Sequence, residues 1–168
     1  MCGYNCPKCV GGVASSGEME EEAELTLGQD GKLECVKKFC YLGDMLGSGG
    51  GAEDASSTRV GCAWGKFNEL APFLVARGPS LRLRGKIYKS CVQCVMTYGS
   101  ETWLMKVEDL HRLERAERAM VRWMCGVNLK NRTRSDELLE RLGVESITDV
   151  IRRGRLRWFG HLERKEKD

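Results

Sequence analysis

No part of this chain is apolar for long. Its 168 residues hold no run approaching the ~20 apolar residues of a membrane span. The N-terminus lacks the apolar core of a secretory signal. With nothing arguing for export, an intracellular place is expected, nucleus or cytoplasm, and not secretion. Histidine is scarce: only His111 and His161 occur, fifty positions apart, too few for a histidine-built metal site. No serine or cysteine nucleophile with a paired acid accompanies either. No two aspartates are adjacent anywhere. There is no internal repeat, and no heptad run long enough for a coiled coil.

What is present suits one soluble domain: 42% hydrophobic and 30% charged residues. Nine cysteines in a chain not read as secreted are expected to be free thiols, and an odd number excludes full internal pairing. The formal charge of +3 conceals an asymmetry. Through Cys40 there are 4 Lys/Arg and 7 Asp/Glu, leaving 23 and 17 for the remainder. The head is therefore acidic and the body basic, a balance that fits a polyanionic partner as well as a solvated surface.

The chain divides in three. Residues 1–23, with Cys2, Cys6 and Cys9 and the run Gly11-Gly-Val-Ala-Ser-Ser-Gly17, read as a disordered or remnant Cys-rich linker. Cys6-x-x-Cys9 has zinc-knuckle spacing, but one pair leaves zinc half-coordinated, so exposed thiols are expected and no metal or other cofactor. Residues 24–47 read as a β-hairpin region. Leu25 and Leu27 alternate with polar neighbours before the turn Gly28-Gln-Asp-Gly31, and Phe39–Leu46 reads as a strand closed by Gly47-Ser-Gly-Gly-Gly51.

Residues 52–165 show helical periodicity. The fold class is mainly α, α+β: a small antiparallel hairpin followed by about five helices. The first helix buries Val60, Ala63, Trp64, Phe67 and Ala71, and Pro72 marks its end. Ser80 caps a second, running to about Met96 with Leu83, Ile87, Cys91, Cys94 and Val95 on its apolar face. Cys91-x-x-Cys94 is expected to pack as core on that face. A third spans Val107 to Cys125 on the stripe Val107, Leu110, Leu113, Met120, Val121 and Met124, with Gly126 as its stop. Ser135 opens a short helix ending at Gly143, and Ser146 opens the last. On that helix Trp158 and His161 share a face with Ile147 and Val150, so both are expected to be buried and structural, with Trp158→Ala costing about 3–5 kcal/mol. Glu117 falls within an apolar stripe and is expected to pair with an arginine or lysine of a neighbouring helix.

Four segments stand in a telling order: Tyr41-Leu-Gly-Asp44, Tyr98-Gly-Ser-Glu-Thr-Trp103, Arg118-Ala-Met-Val-Arg-Trp123 and Arg155-Leu-Arg-Trp-Phe-Gly-His-Leu-Glu-Arg164. Together they resemble the C-terminal part of the reverse transcriptase of non-LTR (LINE-like) retrotransposons, over roughly the last three quarters of the chain. The resemblance implies a hairpin acting as primer grip, with Tyr41, Leu42 and Gly43 at the grip, and thumb-like helices after it. It also implies a departure. That family carries a paired Asp-Asp turn upstream of the hairpin for two-metal chemistry, and no such pair occurs here. The chain is thus expected to be a catalytically incomplete remnant, not an enzyme on its own.

Beside the resemblance, arginines recur at helical spacing. Arg115, Arg118 and Arg122 follow His111 on the third helix, and Arg153, Arg157 and Arg164 lie along one side of the last. Their planar forks suit phosphate oxygens. Weak, sequence-independent binding of an RNA/DNA duplex or hybrid is the expected function. A non-enzymatic helical module that docks a protein partner on surface left by the missing palm is the alternative.

Overall fold

The computed structural model describes residues 36–165 and the backbone of 25–27 and 31–33. The N-terminal linker with Cys2, Cys6 and Cys9 lies outside the described residues. Two short antiparallel hairpins come first. β1 (Leu25–Leu27) pairs with β2 (Gly31–Leu33), Leu25 opposite Leu33. β3 (Lys38–Tyr41) pairs with β4 (Asp44–Gly47), Tyr41 opposite Asp44. The segment 39–46, read as one strand from its alternation, is therefore a hairpin. Leu42 and Gly43 form its two-residue loop, with φ of +49° and +80°. Positive φ at both central residues belongs to the turn whose twist matches a hairpin's strands.

Helices follow: α1 (Glu53–Leu74), α2 (Leu81–Tyr88), α3 (Cys94–Met96), α4 (Val107–Cys125), α5 (Ser135–Leu142) and α6 (Ile147–Lys165). A π turn, Lys89–Gln93, joins α2 to α3 without a break. The observed starts and stops have the expected causes. Ser80 Oγ accepts from the Leu83 N–H at 3.3 Å, capping α2. Gly126 and Gly143 close α4 and α5 in the left-handed conformation. Pro72 sits inside the last turn of α1.

One core joins all helices. Phe67 of α1 is fully buried, edge-on to Trp64 at 5.7 Å and tilted against Trp123 of α4 at 5.4 Å. Around it lie Ala63, Leu74, Leu113, Met120, Met124, Leu138, Leu142, Ile147 and Ile151. A polar clasp fastens α1 to α4. The Ser56 hydroxyl and Arg112 both donate to buried Asp109 Oδ1, at 3.2 and 3.1 Å. Asp109 Oδ2 accepts from the Lys106 N–H at 3.1 Å, satisfying the start of α4.

Three expectations about faces are corrected. α2–α3 buries Gly85, Tyr88, Val92, Gln93 and Met96, while Leu83 and Cys94 are exposed and Ile87, Cys91 and Val95 half-buried. Two causes rotate the face. Gly85 sits directly on the Leu142 backbone of α5, where only a glycine fits, and the π turn inserts an extra residue per turn before Cys94. Val107, assigned to the α4 stripe, is exposed at the helix's first position, beyond the core's edge.

Trp158 and His161 are exposed too. The phase of α6 is as read: Ile147 and Ile151, on the same face, are buried. But from Leu156 onward every residue except half-buried Gly160 is exposed. The helix outruns the described body it packs on, and its apolar face continues where no described residue covers it. The large stability cost assigned to Trp158→Ala therefore does not apply.

Candidate nucleic-acid interface

The hairpin tip is built to stay put. A non-glycine residue with positive φ is uncommon, and Leu42 holds that conformation while 77% exposed. Burial of its side chain does not fix it, so the surroundings must. Arg59 of α1 donates to the Gly43 carbonyl. Tyr98 Oη donates to the Leu42 carbonyl at 3.2 Å, and the Arg59 guanidinium lies 4.3 Å over the Tyr98 ring. Asp44 Oδ2 accepts from the indole N–H of Trp103 at 2.8 Å. At the hairpin's open end Lys38 pairs with Asp54 at 2.7 Å, and that acid raises the Lys38 pKa.

The other end of the chain reaches the same loop. Arg155 of α6 donates from Nη2 to the Trp103 carbonyl at 2.6 Å and from Nε to the Ser100 carbonyl at 3.3 Å. Three of the four segments singled out in sequence thus meet around residues 98–103. The fourth supplies Trp123, an exposed ring tilted against core Phe67, and a loop clamp. Arg122 Nη2 donates to the Thr133 carbonyl at 2.8 Å, with Nη1 3.5 Å from the Asn128 carbonyl. Of these anchors, Tyr98, Trp103 and Arg155 lay in quoted motifs but were not assigned to the hairpin. Arg59 had no sequence signal, because an arginine between helical residues looks like any solvated charge.

The predicted site residues fall into distinct groups. Tyr41 and Leu42 project from the tip beside exposed Gly43. Arg115 and Arg118 are exposed on α4. Arg115 Nε donates to the His111 carbonyl at 3.2 Å, and Arg118 edges a depression of about 180 Å³ with Glu114, Ser135 and Thr148. The half-buried Arg122 fork is occupied by the loop carbonyls. Arg153 pairs with Glu145 at 2.5 Å, and Arg164 Nη2 lies 3.0 Å from His161 Nδ1. Arg157 makes no hydrogen bond or ion pair among the described residues. Arg153 and Arg157 border a second depression of about 150 Å³ with Thr97, Ser100 and Glu101.

Glu117 is buried, as its place in the stripe requires, but its partners are neutral. Its carboxyl accepts from the Ile147 backbone N–H and from Gln93 Nε2, each at 3.0 Å. Gln93, turned inward by the π segment, also donates to the Glu145 carbonyl at 2.7 Å. The expected arginine or lysine is absent because the first turn of α6 already offers an unpaired donor and the positive end of its dipole. Burial raises the Glu117 pKa to about 7 against the lowering effect of both hydrogen bonds, with Glu114 and Asp149 adding to the rise. Burial likewise raises the thiol of Cys94, which, contrary to expectation, is not in the core.

Among the described residues no group of three or more His, Cys, Asp or Glu is placed to hold a metal ion. Among them, too, no helix is long and apolar enough to cross a membrane.

Comparison with curated proteins finds a similar chain in Caenorhabditis elegans, an uncharacterised transposon-derived protein, 23% identical over 139 residues. The match takes in 80% of this chain and 50% of the other, so this chain spans about half the length of the curated relative it matches. No family profile matches the sequence. No solved structure matches it either.

Proposed function

We propose that this chain is a retroelement-derived nucleic-acid-binding module: the primer-grip and thumb-like part of a reverse-transcriptase-like protein. In this reading it holds a template–primer duplex through phosphates without reading sequence. The observation that carries the proposal is the tip. An exposed leucine is held at positive φ by an arginine, a tyrosine and a tryptophan contributed by distant helices and loops. Such over-determined strain belongs where a ligand must meet a fixed backbone. On α6, which borders the 98–103 loop, the fork of Arg157 is free among the described residues to meet phosphate. Similarity to a transposon-derived protein is consistent with this origin.

The reading assigns the chain binding and not polymerisation, because the sequence holds no paired aspartates for two-metal chemistry. Purified protein is expected to extend no primer with Mg²⁺ or Mn²⁺, and extension would overturn that assignment. Fluorescence anisotropy with an RNA/DNA hybrid tests the binding. Affinity should fall steeply with salt as counterions return to the phosphates. Arg153→Ala with Arg157→Ala should weaken binding and flatten the log–log salt slope by up to about 2. A double variant that binds as tightly as the parent, with the same slope, would reduce those arginines to surface charge.

A second reading draws on a different observation. The cross-strand pair Phe39 and Leu46 is 56% and 53% exposed on one face of the hairpin. An apolar pair so placed favours docking of a protein partner on β3–β4.

A further inference from the structure

The last ten residues of α6, Leu156–Lys165, form a helical arm about 15 Å long at 1.5 Å per residue. It carries Leu156, Trp158, Phe159 and Leu162, between 45% and 68% exposed. Apolar side chains of this size on a projecting arm mark a binding surface. Its charge says for what. Residues 152–165 hold five arginines and one lysine against the single acid Glu163. Arg155 is engaged by the 98–103 loop, and half-exposed Arg153 pairs with Glu145 at the surface. Arg152, Arg157 and Lys165 make no hydrogen bond or ion pair among the described residues.

We infer that this arm is a stacking platform for single-stranded nucleic acid, with nucleobases laid on Trp158 and Phe159 and the flanking cations on the phosphates. The inference rests on the nucleic-acid reading above and assigns the arm a different ligand from the tip and the arginine row. Aromatic rings need a free π face. A duplex hides its bases between neighbours, while an unpaired strand offers each one. The helix spacing places both elements of such a platform together. Lys165 lies two turns beyond Trp158 on its own stripe, and Arg152 lies two turns before Phe159 on its stripe. A second copy of this chain suits the arm poorly. Two such arms face to face would bring like charges together, since each has three cations, Arg157, Arg164 and Lys165, against the one acid Glu163. On a template–primer ligand, the strand this arm fits is the unpaired extension beyond the duplex.

The experiment compares a labelled 12-nucleotide oligo(dT) or oligo(rU) with a blunt hybrid duplex, using the full chain and its Trp158→Ala/Phe159→Ala variant. Both rings are exposed, so circular dichroism and Tm should be unchanged. Single-strand affinity should fall roughly tenfold or more, in line with the loss of two stacked bases. Duplex affinity should fall less than about twofold. Trp158→Phe should keep most of the single-strand binding, since a phenyl ring still stacks. Unchanged single-strand affinity in the double variant, with duplex binding intact, would overturn the platform and leave the duplex reading standing. Failure of the parent chain to bind either ligand would overturn both. Light scattering that shows a dimer broken by the double variant would make the arm a protein interface and overturn the platform.

Discussion

Gly85→Ala is expected to destabilise the protein by about 3 kcal/mol or more, the upper end of what overpacking a core costs. Propensity alone argues the opposite sign: alanine in a helix interior is better than glycine by about 1 kcal/mol. Packing decides. A Cβ at position 85 would run into the Leu142 carbonyl oxygen, 2.9 Å from its carbon and 3.2 Å from the Leu142 Cβ. Those atoms are backbone or next to it, so no rotamer change relieves the overlap. α2 and α5 would have to separate, loosening Tyr88 and Leu142 together. Thermal melting followed by helix ellipticity should show Tm falling on the order of 5–10 °C for a domain of this size. A Tm equal to or above the parent's would mean that the two helices do not approach this closely.

The second large effect is a pH dependence that Glu117 confers. Its folded pKa, about 7, lies above its ordinary value of 4.5. Between those values the folded state binds a proton that the unfolded state releases. Stability therefore falls as pH rises through this window. Glu117 contributes fully below about pH 4.5 and has lost its contribution above about pH 7. At 1.36 kcal/mol per unit the span amounts to about 3 kcal/mol. The difference between parent and Glu117→Gln isolates this carboxyl from every other titrating group and is the quantity to read. Urea unfolding from pH 4.5 to 8 should show the variant gaining on the parent as pH rises. The gap should cease to grow above about pH 7. Parallel curves would mean that Glu117 titrates near its ordinary value, and with that its burial between Gln93 and the start of α6 would be wrong. The junction bears on the proposed binding because the same α6 start fixes the direction in which the arginines of that helix project.

Neither effect was legible in the chain. Gly85 sits amid Leu81-Arg-Leu-Arg-Gly-Lys-Ile-Tyr88, where a glycine looks like a weak spot in a helix. Glu117 was recognised as a carboxyl in an apolar stripe, but its partner was sought among cations. The sequence of a helix does not say that another helix's N-terminus will arrive beside it.

What the sequence by itself determined was local. Helix ends at Ser80, Gly126 and Gly143, the span of α4, and the order of hairpins before helices all follow from capping, φ preference and period, which act within a few residues. The ordered motifs pointed to a set of residues that belong together, and three of those segments do converge on residues 98–103. Only the tertiary structure decided which atoms join them: Arg59 on the Gly43 carbonyl, Trp103 on Asp44, Arg155 on the Trp103 carbonyl. It alone decided that Trp158, on the same wheel face as buried Ile151, stands in solvent. Periodicity fixes the direction in which a side chain points along its helix. Whether anything waits there depends on where the neighbouring elements stop, and that is a property of the packed whole.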